Sequence, residues 1–395
     1  MTSMGGKLAV AAGIATVAAV AVARPVMDRV VAHVEDGMNP VWPAPATPVS
    51  ERAAALHATL RVADLHADSL LFGRDLVQRG TRGHVDIPRL IEGRVALQVL
   101  SMAVKTPVGL NIDHNDDSSD EVIKIALAKR WPVASWRSLM PRVLHLAANA
   151  RRFEARSDGR FRVITTRSEL AAYLAAREAD PDMAAAVLSI EGAHALDGDP
   201  ANVEVVADAG IRMISPAHFF DTAFGGSAHG VFQGGLTPAG REMVRRMEAR
   251  GVLLDVAHSS ARTIDDALAV STRPVVASHT GVRGVVDNAR NLSDAHLDGI
   301  AASGGLVGIG FWDTVTGGRD AASIARVIGY AVERIGVAHV ALGSDWDGAV
   351  GVPFDAAHVD RLTEALLDAG LAEADIRAVM GENILRLLGE TLPEA

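Results

Sequence analysis

Cysteine is absent from all 395 residues. Disulfide staples, thiolate zinc sites, iron–sulfur clusters and cysteine nucleophiles are thereby excluded, and any metal must be held by His, Asp and Glu. A basic excess is missing as well. The chain has 38 Lys and Arg against 48 Asp and Glu, a formal net charge of −10, which argues against nucleic acid as a partner. No Gly-x-Ser-x-Gly elbow occurs, so a serine hydrolase is disfavoured. What is present suits a large folded domain: 49% hydrophobic and 22% charged residues, too apolar for a disordered chain.

The N-terminus reads as an address. Leu8 to Ala23 is an apolar run with Lys7 before it and Arg24 after it, ending in two overlapping Ala-x-Ala patterns at Ala19–Ala23. A charged start, a short apolar stretch and small residues at the exit describe a secretory signal peptide. The alternative is an uncleaved anchor, although the run falls short of the roughly 20 residues of a membrane span. The expected location is therefore exported (periplasmic or extracellular), or membrane-anchored through residues 8–23. Between Gly37 and Pro48 lie four prolines, the composition of an extended spacer. The expected division is 1–23 signal or anchor, 24–48 Pro-rich linker, and 49–395 a single catalytic domain.

Eight short apolar runs then recur, most of them ending in a polar group: 60–66, 95–101, 186–191, 211–215, 252–258, 274–279, 305–311 and 340–345. Amphipathic stretches of helical length separate most of them, such as Pro238–Arg250, Ala261–Val270, Asp294–Ser303 and Ala321–Ile335. Apolar strands alternating with helices predict a parallel sheet covered on both sides. Eight units suit a closed (β/α)8 TIM barrel. A doubly wound open sheet is disfavoured because His66-Ala67-Asp68-Ser69, not a glycine fingerprint, follows the first strand. The largest insertion, Asn111–Arg162, is expected to hold helices plus a loop. A helical pair, Ala357–Ala369 and Glu373–Leu388, is expected to close the barrel.

All strand C-termini of such a barrel open on one face, where its chemistry sits. There the first strand delivers Asp64, His66 and Asp68, the third Glu191, the fifth His258, the sixth His279 and the eighth Asp345. A lone histidine near a strand end is more often a hydrogen-bonded structural residue. Five strands delivering ligand-type side chains at equivalent places point to divalent zinc or a similar ion. The set exceeds the three protein ligands of a mononuclear catalytic zinc, so Glu191 would bridge two ions about 3.5–4 Å apart.

The ordered motifs Asp64-Leu65-His66-Ala67-Asp68, Ser189-Ile190-Glu191-Gly192-Ala193-His194, Pro216-Ala217-His218-Phe219-Phe220-Asp221, Asp255-Val256-Ala257-His258, Ser278-His279-Thr280-Gly281 with Ala289-Arg290-Asn291, and Gly343-Ser344-Asp345-Trp346-Asp347-Gly348 resemble the membrane (renal) dipeptidase family. These are zinc dipeptidases of the amidohydrolase superfamily. The likeness runs from about Ala63 to Leu388. It implies a metal-dependent amidohydrolase barrel with two Zn2+ ions per chain and a dipeptide substrate, and it leaves room for a homodimer and for membrane attachment through the N-terminal segment. His66 and Asp68 would bind one ion and His258 and His279 the other, with Glu191 between them. Asp345 matches the family's catalytic carboxylate, His218 its substrate-polarising histidine and Arg290 its carboxylate-binding arginine. Two departures stand out. The family's usual Asn after the first-strand His is Ala67 here, and the mammalian members' cysteines are missing.

The reaction expected is attack on the peptide carbonyl by a hydroxide bridging the two ions. Asp345 serves as base and then acid, His218 donates to the oxyanion and Arg290 grips the terminal carboxylate. Asp347 is expected to cap a turn, and Asp64, Asp255 and His194 to orient imidazoles. The competing readings are a binuclear amidohydrolase acting on another amide or N-acyl amino acid, and a non-catalytic metal-binding barrel.

Overall fold

The structure is a computed structural model that describes residues 25–43 and 48–394. Nine parallel strands form its sheet: β1 (Val62–Ala67), β2 (Val95–Leu100), β3 (Phe161–Val163), β4 (Ala184–Ile190), β5 (Ile211–Ile214), β6 (Leu253–Asp255), β7 (Val275–Thr280), β8 (Leu306–Ile309) and β9 (Val340–Leu342). Eight of them close a barrel. β2 pairs with β4 as well as β1, and β9 pairs back to β1. The ninth, β3, is the one strand absent from the sequence reading. It pairs with the first half of β4, on Ala184–Ala186, while β5 begins its pairing at Leu188. Three residues inside a helical insertion offer too short a run to register as a strand.

Alternate residues from every barrel strand meet in one buried cluster. Ala63 and Leu65, Leu97 and Val99, Ala185 and Val187 join Met213, Leu253, Val276, Leu306 and Ala341. A set drawn from all eight strands can meet only inside the barrel. Ile384, Leu385, Leu387 and Leu388 of the C-terminal helix Asn383–Thr391 belong to the same cluster, so this helix plugs the end opposite the strand C-termini. The remaining apolar strand residues pack outward under the surrounding helices. Those helices start where the sequence supplies caps. Thr237, Ser260, Ser293 and Asp320 each accept a backbone N–H of the following first turn, and Thr166 with Glu169 forms a capping box.

The first apolar segment, residues 8–23, lies outside the described residues, and among those described no helix is long and apolar enough to cross a membrane. The stretch expected to be a Pro-rich linker, 24–48, carries a helix: residues 25–38 are helical. The helix is held by charge. Glu35 is buried against Arg74 at 2.5 Å, and Asp28 meets Lys129 at 3.0 Å. Residues 39–42 then run beside the loop after β9. Ala349 N–H donates to Asn39 Oδ1 (2.8 Å) and Trp42 N–H to the Val352 carbonyl (2.8 Å). Pro40 ends the helix, since it has no N–H to continue the ladder, but it does not keep the segment off the domain.

Candidate metal and active site

Glu191 follows β4 directly and stands at the centre of the strand C-termini. Its Oε1 lies 3.1 Å from His258 Nε2, 3.2 Å from His279 Nε2 and 3.6 Å from His66 Nε2, and its Oε2 lies 3.4 Å from His218 Nε2. His258 Nε2 and His279 Nε2 are 3.0 Å apart. Ligand atoms around a tetrahedral ion with bonds of about 2.0–2.1 Å are separated by about 3.3–3.4 Å, so these spacings match a shared cation. On the other flank, His66 Nε2 is 3.7 Å from Asp68 Oδ2 and 3.9 Å from Asp345 Oδ1. Three overlapping groups could each hold an ion: His66 with Glu191 and His279, Glu191 with His218 and His258, and His66 with Asp68 and Asp345. Glu191 belongs to two of them.

The donors themselves fit a metal. His66 Nε2 and Asp68 Oδ1 are buried without any hydrogen-bond partner, and a native fold seldom leaves such atoms orphaned unless something else satisfies them. Backbone irregularities aim the side chains. The register of β1 slips between Asp64 and Ala67, and that of β7 between Ala277 and Thr280, as bulges beside functional sites do. His258 and Asp345 hold left-handed backbone, φ +61° and +60°, a conformation non-glycine residues adopt at some cost.

The slip in β1 separates residues that the sequence placed on one side. Asp64 turns to its neighbours, accepting from Ser344 N–H (2.7 Å), Ser344 Oγ–H (2.8 Å) and Gln98 Nε2–H (2.6 Å), whereas His66 and Asp68 face the cluster. Asp255 does act on an imidazole, through Ser278. Ser278 Oγ–H donates to Asp255 Oδ2 (2.6 Å) and lies 2.8 Å from His279 Nδ1. Sequence reasoning missed Ser278, since a serine carries no signal until the fold sets a histidine and an aspartate on either side of it. His194 departs from expectation. Both its ring nitrogens are buried without a partner and its ring packs on Phe220 at 4.8 Å, so it orients no imidazole. Burial, with Lys105 and Arg142 nearby, pushes its pKa down to about 3. Asp347, expected to cap a turn, instead spends its carboxylate on the segment after β1. It is fully buried and accepts from Ser69 Oγ–H (2.6 Å), His84 N–H (2.6 Å), Val85 N–H (3.3 Å) and Arg74, tying the loop after β9 to the segment after β1.

Electrostatics divide the site. Burial holds the pKa values of His218, His258 and His279 well below the ordinary range, with Arg290 and neighbouring histidines adding to the effect, so these rings are neutral, each with one nitrogen lone pair for an ion and one N–H to donate. His66 is opposed by burial, but Glu191, Asp68 and Asp345 outweigh it and carry its pKa to about 10. Burial raises Asp345 to about 8, with Asp68 and Asp64 assisting and His66 and Arg290 opposing. Burial likewise raises Glu191. A cluster of carboxylates that resists ionisation on its own is one that a cation would stabilise. Arg290 is buried beside it, its Nη2–H donating to the His279 carbonyl (2.6 Å) and lying 3.2 Å from His258 Nε2. The guanidinium sits 5.4 Å from the Trp312 ring centre. All of this opens into one cavity of about 770 Å³, whose lining includes Asp68, Glu191, His218, His258, His279 and Asp345. Phe219 and Trp312 also line it, whereas Phe220 packs on His194.

Comparison with known proteins agrees with this architecture. The family described as membrane dipeptidase (peptidase family M19) matches residues 50–393. Dipeptidase tcpJ of Claviceps purpurea is 28% identical over 317 residues, covering 78% of this chain and 69% of its own. Among solved structures, the dipeptidase AC, a metallopeptidase, superposes with a TM-score of 0.69 at 26% identity, over 85% of this chain and all of its own. A metallopeptidase from Rhodobacter sphaeroides, liganded with a phosphinate mimic of the dipeptide L-Ala-D-Ala, gives a TM-score of 0.68 at 26% identity, over 84% of this chain and 99% of its own.

Proposed function

The chain belongs to the membrane dipeptidase family, peptidase family M19, and from that membership we propose that this metal-dependent hydrolase cleaves the amide bond of dipeptides with two zinc ions. The observation that carries the reading is the convergence of four imidazoles on the single carboxylate of Glu191. His66 and Asp68 would hold one ion and His258 and His279 the other, with Glu191 shared by the two sites. Bound there, the ions supply Lewis-acid polarisation of the scissile carbonyl and lower the pKa of water.

The chain's own residues do the rest. A carboxylate oxygen of Asp345 takes the proton of the attacking water and returns it to the leaving amine. Its pKa of about 8 without a cation falls when positive charge is placed beside it, which readies it as a base. His218 stays neutral and donates its Nε2–H to the developing oxyanion, a contribution of about 3–4 kcal/mol for a preorganised donor. Arg290 spends one N–H on the His279 carbonyl and keeps others for the substrate's terminal carboxylate. Trp312 backs the guanidinium plane. That grip favours dipeptides, because a longer peptide has no carboxylate at this depth.

The test is metal analysis of the purified protein joined to a dipeptide panel, run before chelation, after it and after zinc is restored. The expected result is about two zinc equivalents and turnover that disappears and returns with them. Metal-loaded protein inert on every dipeptide would overturn the reading. Export, anchoring through residues 8–23 and a homodimer belong to the same proposal, and fractionation and sedimentation of the full chain test them.

A further inference from the structure

The helix at residues 25–38 lies outside the family match at 50–393, yet it forms a wall of the catalytic cavity. Met27, Val30, Val31, Val34 and Met38 all line that cavity, and their spacing puts them on one helical stripe. Val31 is buried, but Met27, Val30, Val34 and Met38 remain 40–50% exposed, an unusual density of open apolar surface for one side of a helix. The helix's acidic groups are occupied elsewhere: Asp28 faces Lys129, and Glu35 and Asp36 face Arg74 and Arg82. Leu71, Phe72, Leu110 and Ile125 also line the cavity. The only oppositely charged residues of the insertion that line it, Glu121 and Lys124, are paired with each other at 2.6 Å.

Volume agrees with this division into polar floor and apolar wall. About 770 Å³ lies in the upper part of the roughly 300–1,000 Å³ range of sites that enclose drug-sized ligands, far more than a small dipeptide fills. A flat partner such as a bilayer or a second copy could cover a rim, but it could not enter a cavity whose floor is the Glu191 cluster. The occupant must arrive with the substrate. On the reading above, Arg290 takes the carboxylate end at the floor, which leaves the amino-terminal side to extend toward the wall.

We propose that the preferred substrates carry a long apolar group on the amino-terminal side of the scissile amide, seated against the stripe Met27–Val30–Val34–Met38. The orientation rests on the dipeptidase reading. Two sources share this chemistry, the acyl chain of an N-acyl amino acid and a large apolar first residue of a dipeptide. Two substrate series on the zinc-loaded full chain separate them: Xaa-Ala dipeptides with straight side chains of increasing length, and N-acyl-alanines with acyl chains of increasing length. In at least one series kcat/KM should rise roughly two- to fourfold per added methylene, the range expected for apolar burial, and mostly through KM. The series that rises identifies the source. The double variant Val30→Asp with Val34→Asp should cut the long-to-short ratio of kcat/KM at least tenfold, and Met27→Gln with Met38→Gln should cut it in the same direction as a milder pair. Flat series with Ala-Ala still hydrolysed would overturn this inference and leave the dipeptidase reading intact. Loss of all dipeptide turnover in the parent protein would instead remove that reading. If the substitutions altered vesicle retention or oligomeric state without touching the ratio, the stripe would be a docking face and the proposal would fall.

Discussion

Two carboxylates near the end of β9 show how little residue type alone decides. Asp345 and Asp347 are both buried, but Asp347 is saturated by Ser69, His84, Val85 and Arg74, while Asp345 opens on the cavity beside His66. Asp345→Asn keeps the shape and removes the base. It should lower kcat about 10²–10⁴-fold while elemental analysis still finds the parent's metal content. Metal lost together with turnover would make Asp345 a ligand instead, as its grouping with His66 and Asp68 allows. Arg290→Met should raise KM for dipeptides on the order of 100-fold, the loss expected for a charged two-point hydrogen bond. Comparing each dipeptide with its C-terminal amide checks this: the parent should discriminate between them and the variant should not. His66, Glu191, His258, His279 and Asp345 were legible as strand-end side chains because each closes an apolar run; Asp68 and His218 lie beyond such a run, and the ligand roles belong to the proposal. Ser278 and Gln98 were not legible, because their partners Asp255, His279 and Asp64 become neighbours only after the strands pair.

Among the elements, the helix at 25–38 depends most on a single side chain. Arg74 bridges Glu35 and Asp347, and so joins the helix to the loop that carries Asp345. Arg74→Met would leave Glu35 only the longer contact to Arg82 (3.7 Å) and take the one guanidinium from Asp347, and removing one partner of a buried pair costs up to about 3–5 kcal/mol. Limited proteolysis and amide exchange should therefore show residues 25–43 opening well before the barrel does. Glu35→Gln should do less, because burial already raises the Glu35 pKa and a neutral amide relieves that penalty. Equal protection in the Arg74→Met variant and the parent would contradict this attachment. The helices at 238–249, 261–270, 294–302 and 321–335 needed no such help to be read from the sequence, since their caps and apolar stripes are local. The N-terminal helix was hidden behind the prolines that follow it, and its anchors lie dozens to hundreds of residues away.

For the molecule as a whole, closure at one end and metal at the other are the two conditions of stability. The C-terminal segment seals the barrel floor, with Arg61 and Glu382 paired through two hydrogen bonds of 2.9 and 2.7 Å. A methyl group on Gly381 would fall on the Arg61 carbonyl oxygen and close to the Ala63 nitrogen. Backbone atoms cannot step aside as a side chain can, so Gly381→Ala should destabilise the protein by about 1–3 kcal/mol or more, visible as a lowered Tm with the metal content of the surviving native protein unchanged. At the other end, a ligand that binds only the native state stabilises it by about 4 kcal/mol at 1,000 times its Kd. Chelation should therefore lower Tm, and added zinc should restore it in a concentration-dependent way. A Tm indifferent to both would mean that the Glu191 cluster holds no ion.

The order of the eight barrel strands and the helices between them, the face on which chemistry gathers and the exclusion of thiolate chemistry were determined by the sequence alone, because hydrophobic period, caps and composition act over a few residues. Which acid groups became struts and which stayed available was decided by the tertiary structure. A one-residue slip in β1 turned Asp64 toward Ser344 and left His66 and Asp68 facing Glu191. The same is true of the cavity wall, which unites residues 27–38 with a floor assembled from positions 68 to 345. Contacts across such separations are set by barrel closure and buried charge pairing, and no local pattern encodes them.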